Sequence, residues 1–281
     1  MASMADLREA IQAQVAALFG TTDDNRLDLT RPPGDPGLFA PDSAAWKVHG
    51  DLTSMMVGGT AALLLQMLHP GALAGVWDHG SFRHDLTGRL RRTAQFISGT
   101  TYGSTAMAEE LIGRVRRIHH VVQGTLPDGT PYSANDPALL TWVHAAEVQC
   151  FLGAYVRYVD PAMTGAAQDA YLDQAAEVPV RLGAIEVPRD RAALARYFDR
   201  VRPQLRYGHR TRVVARALFA QAAPSPALEP FQTLTREAAI DLLPDWALAL
   251  HGWRRSAPQR LAVRAGIGGT GRILRWALQG G

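Results

Sequence analysis

Apolar residues recur at three- and four-residue intervals through most of this chain, and two-residue alternation is scarce, so its segments must bury helical faces rather than sheet faces. Proline and glycine punctuate the pattern: Pro161, Pro188, Pro224, Pro226 and Pro244 fall where helices should start or stop. The spacing predicts helices over Ser43–Leu68, Gly71–Val76, Thr87–Thr100, Ser104–Gln123, Pro137–Tyr158 and Gly165–Leu182. Later ones are predicted over Arg189–Leu205, His209–Ala222, Glu229–Asp241, Trp246–Gly252 and Pro258–Gln279. One hairpin is expected across Gly124–Tyr132, where Asp128-Gly129 suits a tight turn. The fold class is therefore all-α, a single globular multi-helix domain with at most one short β-hairpin.

With 281 residues, 47% of them hydrophobic, the chain can bury a sizeable core, and no break in composition divides it. The expected organisation is an amino-terminal helix and Pro-rich loop over residues 1–42, the main helical domain over 43–255, and a helical tail over 256–281 packing on the same domain. Met1–Gly20 reads as an amphipathic helix with Leu7, Ile11, Val15 and Leu18 on one side, without a signal peptide's basic start and unbroken apolar middle. Met55–Leu68, the longest apolar stretch, is too short for an ordinary membrane span and stops at His69-Pro70. These features lead us to expect no transmembrane segment and a cytoplasmic location.

The formal net charge is +3, but the 29 basic residues are spread along the chain and only Lys47 is a lysine, so nucleic acid is not an expected partner. Cys150 stands alone, which excludes an internal disulfide framework or a multi-thiolate metal site and reads as an inert core thiol. Gly266-Ile-Gly-Gly-Thr-Gly271 fits a dinucleotide-binding pattern, yet no strand feeds it and little chain follows, so it reads as a flexible break. There is no Walker loop, His-Glu-x-x-His motif or nucleophile elbow, and no pair of Glu-x-x-His motifs for a di-iron bundle.

Across Ser104–Gln123 the residues Ile112, Val115 and Val122 form an apolar stripe, and His119 takes the slot that completes it. His120, turned about 100° away, falls beside Arg116 and Arg117 on the polar side. An inward neutral imidazole must satisfy both ring nitrogens, either by binding a buried metal or by hydrogen bonding to a carbonyl. His144 lies in a second stripe with Leu140, Val148, Phe151 and Tyr155, where Glu147 could accept from its ring N–H. His79 reads as a loop residue between helices. Arg89 and Thr93 share a face with Phe96 and Ile97, and a guanidinium beside apolar groups must find an anion or carbonyls.

Several motifs occur in order: Gly58-Gly-Thr-Ala-Ala-Leu-Leu-Leu-Gln-Met-Leu-His-Pro70, Trp77-Asp-His-Gly-Ser81, Arg89-Leu-Arg-Arg-Thr93, Ile118-His-His-Val-Val-Gln-Gly124, Tyr132-Ser-Ala-Asn-Asp-Pro137 and Trp142-Val-His144. Together they resemble the MpaB-type and rubber-oxygenase (latex clearing protein) catalytic domains, the DUF2236 family. The resemblance implies a helical domain with a buried pocket for haem b, held by a proximal histidine, and a dioxygen-dependent oxidation. It assigns iron ligation to His119, with His144 as the rival, and places Arg89, Thr93 and the intervening Arg92 at the haem. Rubber oxygenases carry a lysine just before that threonine which can cap the iron; Arg92 stands here, and arginine has no lone pair to give. The expected function is a haem-dependent oxygenase acting on dioxygen and a small apolar, isoprenoid or unsaturated metabolite, with Leu63, Leu64, Met67 and Phe96 as candidate pocket lining. The alternatives are a haem-binding sensor or carrier, and a haem-free helical protein with a hydrolytic or partner-binding role.

Overall fold

The computed structural model describes residues 8–9, 11–12, 27, 29–80, 85–223 and 225–278. The predicted helix over Met1–Gly20 lies outside the described residues except at Arg8, Glu9, Ile11 and Gln12, as does Ser81 of the Trp77–Ser81 motif. The fold is all-α with one two-stranded hairpin.

At the centre, α2 (Leu52–Gln66) packs on α6 (Pro137–Tyr158). Glycine permits the close crossing: a Cβ on Gly58 would stand 2.9 Å from the Phe151 ring and 3.0 Å from the Cys150 carbonyl oxygen. Val57, Ala61, Leu64, Leu65, Trp142, Ala145 and Ala154 fill the contact, and the Trp142 indole donates to the Gln66 carbonyl at 3.1 Å. Asp136 caps α6 by accepting from the Leu139 amide, and Pro137 occupies the first turn, where its missing N–H costs nothing. These signals are local, so the predicted bounds of α6 match the observed ones.

Elsewhere the bounds shift for local reasons. The predicted Ser43–Leu68 helix is two, α1 (Ala44–His49) and α2, because the Asp51 carboxylate accepts from the Ser54 amide at 2.8 Å and starts a new helix after Gly50. α3 (Pro70–His79) runs longer than predicted and takes in His79, so that residue is helical rather than in a loop. It turns 102° from α2; among the described residues no single helix is long and apolar enough to cross a membrane, though this bent pair has the length and composition. α4 (Leu86–Tyr102) and α5 (Thr105–Val121) form a helical hairpin. β1 (Gln123–Thr125) and β2 (Pro131–Ser133) pair antiparallel, with Gly129 in the turn at φ 89° as expected of Asp-Gly. The predicted Gly165–Leu182 helix divides at Ala176 into α7 (Gly165–Ala175) and α8 (Glu177–Leu182).

Beyond these lie α9 (Arg191–Val201), α10 (His209–Phe219), α11 (Glu229–Leu242), α12 (Asp245–His251) and α13 (Ala257–Leu278). The Gly266–Gly271 run is not a flexible break but lies inside continuous α13, with Ile267 fully buried. Its glycines allow close packing: a Cβ would stand 3.1 Å from Leu234 at Gly266 and 3.4 Å from Thr53 at Gly271. Arg275 then reaches the Asp51 carboxylate at 2.8 Å. The buried Asp241 carboxylate on α11 joins three helices, accepting from Arg157 at 3.2 Å and Arg264 at 2.8 Å. Charge-assisted bonds of this kind are worth about 1.5–3 kcal/mol, so Asp241→Asn is expected to lower the unfolding free energy by roughly 2 kcal/mol in chemical denaturation.

Candidate functional site

The α4–α5 hairpin is fastened to the molecule at its margins. α1 packs on α4 and α8 packs on α5, while neither hairpin helix lies closely along α2 or α6. On the central side, Met55, Met56, Gly59, Thr60, Leu63 and Gln66 form one face of α2 that is only partly buried, and Val143 and Glu147 do the same on α6. On the hairpin side, Arg89, Leu90, Ile97, Leu111, Val115 and His119 are likewise partly buried. Direct contact between hairpin and centre is therefore sparse along these partly buried faces.

The hairpin crossing sets the register of the groups that matter. A Cβ on Gly99 would stand 2.2 Å from the Leu111 Cδ1, so the two helices touch there. Stepping back to Arg89 covers about 15 Å and forward to His119 about 12 Å at 1.5 Å per residue, which brings the two side chains to the same level. The two groups feel each other: burial first, and the Arg89 charge second, hold the His119 imidazole below its ordinary pKa. His119 is therefore neutral, and its Nδ1 is buried with no hydrogen-bond partner. His120 is exposed, as the helical phasing predicts.

The Arg89 guanidinium lies over the end of α3, where a Cβ on Gly80 would stand 2.9 Å from its Nη1. Burial and Arg92 both disfavour its charge, and no carboxylate pairs with it among the described residues. Such a cation, partly desolvated and lacking an anion, is poised to receive one. Thr93 is exposed and its hydroxyl donates to the Arg89 carbonyl at 3.1 Å. Arg92 is exposed and paired with Asp85 at 3.2 Å. Leu63 and Phe96 keep accessible surface, whereas Leu64 and Met67 are packed in the core because they fall on the opposite face of α2 or beyond its end.

His79 hydrogen bonds the Gln123 carbonyl at 3.0 Å and ties α3 to the β-hairpin. His144 is 7% exposed, and its Nε2 has no partner. The expected His144–Glu147 hydrogen bond is not formed, since the Glu147 carboxyl has the Gln66 side chain beside it instead. Burial lifts Glu147 to about 7; burial and the nearby His49 push His144 down to about 3. Sequence reasoning missed His49, which is bonded to Thr101 Oγ1 at 2.8 Å and Tyr171 OH at 3.0 Å. Its only sequence signal is a histidine closing the short apolar segment Ala44–His49. His251 was also missed; it bonds the Leu64 carbonyl at 3.0 Å and stacks on Trp253, a packing role. A separate cleft of about 900 Å³ opens between His69, the β-hairpin, Gln204 and Arg206, and none of Arg89, Thr93, His119 or His144 lines it.

Residues 46–276 match the family described as ER-bound oxygenase mpaB/B'/Rubber oxygenase, catalytic domain. The chain belongs to this family. No curated protein and no solved structure matched it. The matched span contains the α4–α5 hairpin and the central pair α2 and α6, and all but the last two residues of α13.

Glu147 and the two buried histidines make opposite contributions to stability as pH changes. An unfolded chain releases the Glu147 proton near the ordinary 4.5 whereas the folded one holds it to about 7, so stability falls as pH rises through that window. Below 6.5 the unfolded chain protonates His49 and His144 while the folded chain resists until about 4 and about 3, so stability also falls on acidification. Glu147→Gln is expected to exceed the parent protein's stability by roughly 2–3 kcal/mol at pH 8 and by nothing near pH 4, read from melts across pH.

Proposed function

We propose that this oxygenase-family chain is haem b-dependent and oxidises a small apolar, unsaturated metabolite of isoprenoid type with dioxygen. The observation that carries the reading is the buried, unpartnered Nδ1 of a neutral His119 at the level of Arg89, which has no carboxylate partner among the described residues. Among the described residues no group of three or more His, Cys, Asp or Glu side chains could hold a metal ion, so an iron beside His119 needs its other ligands from a macrocycle. The residues present fit that group. His119, kept neutral by burial, offers an imidazole lone pair to the iron. Arg89 supplies the cation for a propionate, in the charge-assisted geometry that guanidinium favours. When bound, haem supplies the centre at which dioxygen is taken up and activated.

The chain's own side chains do the rest. Leu63, Leu90, Ile97 and Val115, partly buried on α2, α4 and α5, would give a haem site there a hydrocarbon lining that excludes water and favours an apolar substrate. The Thr93 hydroxyl, now bonded to its own helix, is exposed and one turn from Arg89, within reach of the same group. Arg92 stays outward with Asp85 and cannot coordinate iron.

The spectrum of the purified, haemin-supplied protein tests this reading. A haem absorption band is expected in the parent and in His144→Ala, and is expected to be lost or displaced in His119→Ala. Arg89→Leu is expected to weaken haem affinity about tenfold, the worth of one charge-assisted bond. Oxygen uptake by the reduced protein with unsaturated isoprenoids is the activity readout. A colourless preparation would overturn haem dependence, loss of the band only in His144→Ala would move the axial role there, and a haem spectrum without uptake would favour a carrier.

A further inference from the structure

One helix runs from the body of the molecule to both groups of the proposed site. α3 packs on α6, α10 and β2. Its last turn is held from that side by Asp78, whose carboxylate accepts from the Tyr132 hydroxyl of β2 at 2.8 Å and from Arg210 of α10 at 3.4 Å. From this base α3 meets the α4–α5 hairpin and its exit at three successive places. A Cβ on Gly75 would stand 3.3 Å from the Val122 Cγ1, His79 Nε2 bonds the Gln123 carbonyl oxygen at 3.0 Å, and a Cβ on Gly80 would stand 2.9 Å from the Arg89 Nη1.

The order of these contacts follows from helix geometry. Gly75 and His79 are four residues apart and share a face of α3. Val122 and Gln123 are the third and fourth residues beyond His119, so that face of α3 meets the chain about one turn past the imidazole. Gly80 then ends α3, its amide donating to the Val76 carbonyl at 3.0 Å, and Arg89 lies over that end. The last carbonyls of a helix carry partial negative charge, which favours a cation there. His79 is exposed, so burial does not explain the residue; a carbonyl only accepts, so its Nε2 carries the proton of the bond to Gln123.

We propose that α3 is the spacer that sets Arg89 against His119, and that His79 is a positioning residue, latching the end of α3 that carries Arg89 to the segment that carries His119. The functional meaning rests on the haem reading: an iron ligand and a propionate partner are a fixed span apart on one rigid group, so the protein must hold its two side chains at that span beforehand. The geometry of the latch belongs to the protein alone and is testable without haem.

The first test is nitrogen-15 NMR of the haem-free full chain, with the Arg89 Nε–H signal assigned by its loss in Arg89→Leu and the His119 ring signals by their loss in His119→Gln. His79→Leu is expected to move both sets of signals. His79→Gln, whose amide N–H reaches the same carbonyl, is expected to leave them at the parent positions. The ring signals of His251, bonded to the Leu64 carbonyl, are expected to stay put in every variant. The second test is haemin titration followed by absorbance. His79→Leu is expected to weaken haem binding about fivefold, the worth of one net hydrogen bond, and by less than about twofold in an Arg89→Leu background. Unmoved Arg89 and His119 signals in His79→Leu, or failure of His79→Gln to restore them, would overturn the proposal. So would movement of His251 together with a lowered thermal midpoint, which would make His79 a general structural residue, or an undiminished fivefold cost in the Arg89→Leu background. A parent that binds no haem would overturn haem dependence and leave the NMR signals to decide the latch.

Discussion

The close crossing of α2 and α6 is the constraint from which the rest of the molecule follows. Gly58 lets the two backbones meet at the Phe151 ring, and once they meet, the buried faces of both helices are spent on each other and on α11. What α2 and α6 have left over is a partly buried face each, apolar on α2 apart from Gln66 and Thr60, and marked on α6 by Glu147. The α4–α5 hairpin is attached chiefly through α1 and α8. Small residues such as Gly58 thus decide where helices meet closely, and the space the proposed function requires lies where such contact is sparse.

Such an interior carries an energetic cost that the packing elsewhere must offset. His119 Nδ1 and His144 Nε2 are buried without hydrogen-bond partners, and no carboxylate pairs with Arg89 among the described residues. Each would cost on the order of 1–3 kcal/mol if left so in a finished structure. By contrast, Asp241 shows how this chain treats a buried charge with a purely structural task, surrounding one carboxylate with arginines from α6 and α13. Under the proposed function a bound cofactor would relieve the unsatisfied His119 Nδ1, whereas Asp241 is already satisfied by the protein itself.

Much of this was legible in the sequence. The bounds of α6, the hairpin at Asp128-Gly129, the inward His119 and the outward His120 all follow from spacing and capping, which are local. The failures are also local in origin but tertiary in cause. Asp51 outcompeted the apolar run around it as a helix start, and the Gly266–Gly271 glycines are helical because Leu234 and Thr53 press against them, which no sequence window reveals. The pairing of Arg89 with His119 needed the Gly99–Leu111 contact as well as the phasing of each helix. His49 was missed because its partners, Thr101 and Tyr171, come from two other helices far along the chain.

A hairpin moored along its rim has a mechanical corollary. Direct contact between hairpin and centre is sparse, so under the proposed function a cofactor held between them would add cohesion and raise stability by its binding free energy.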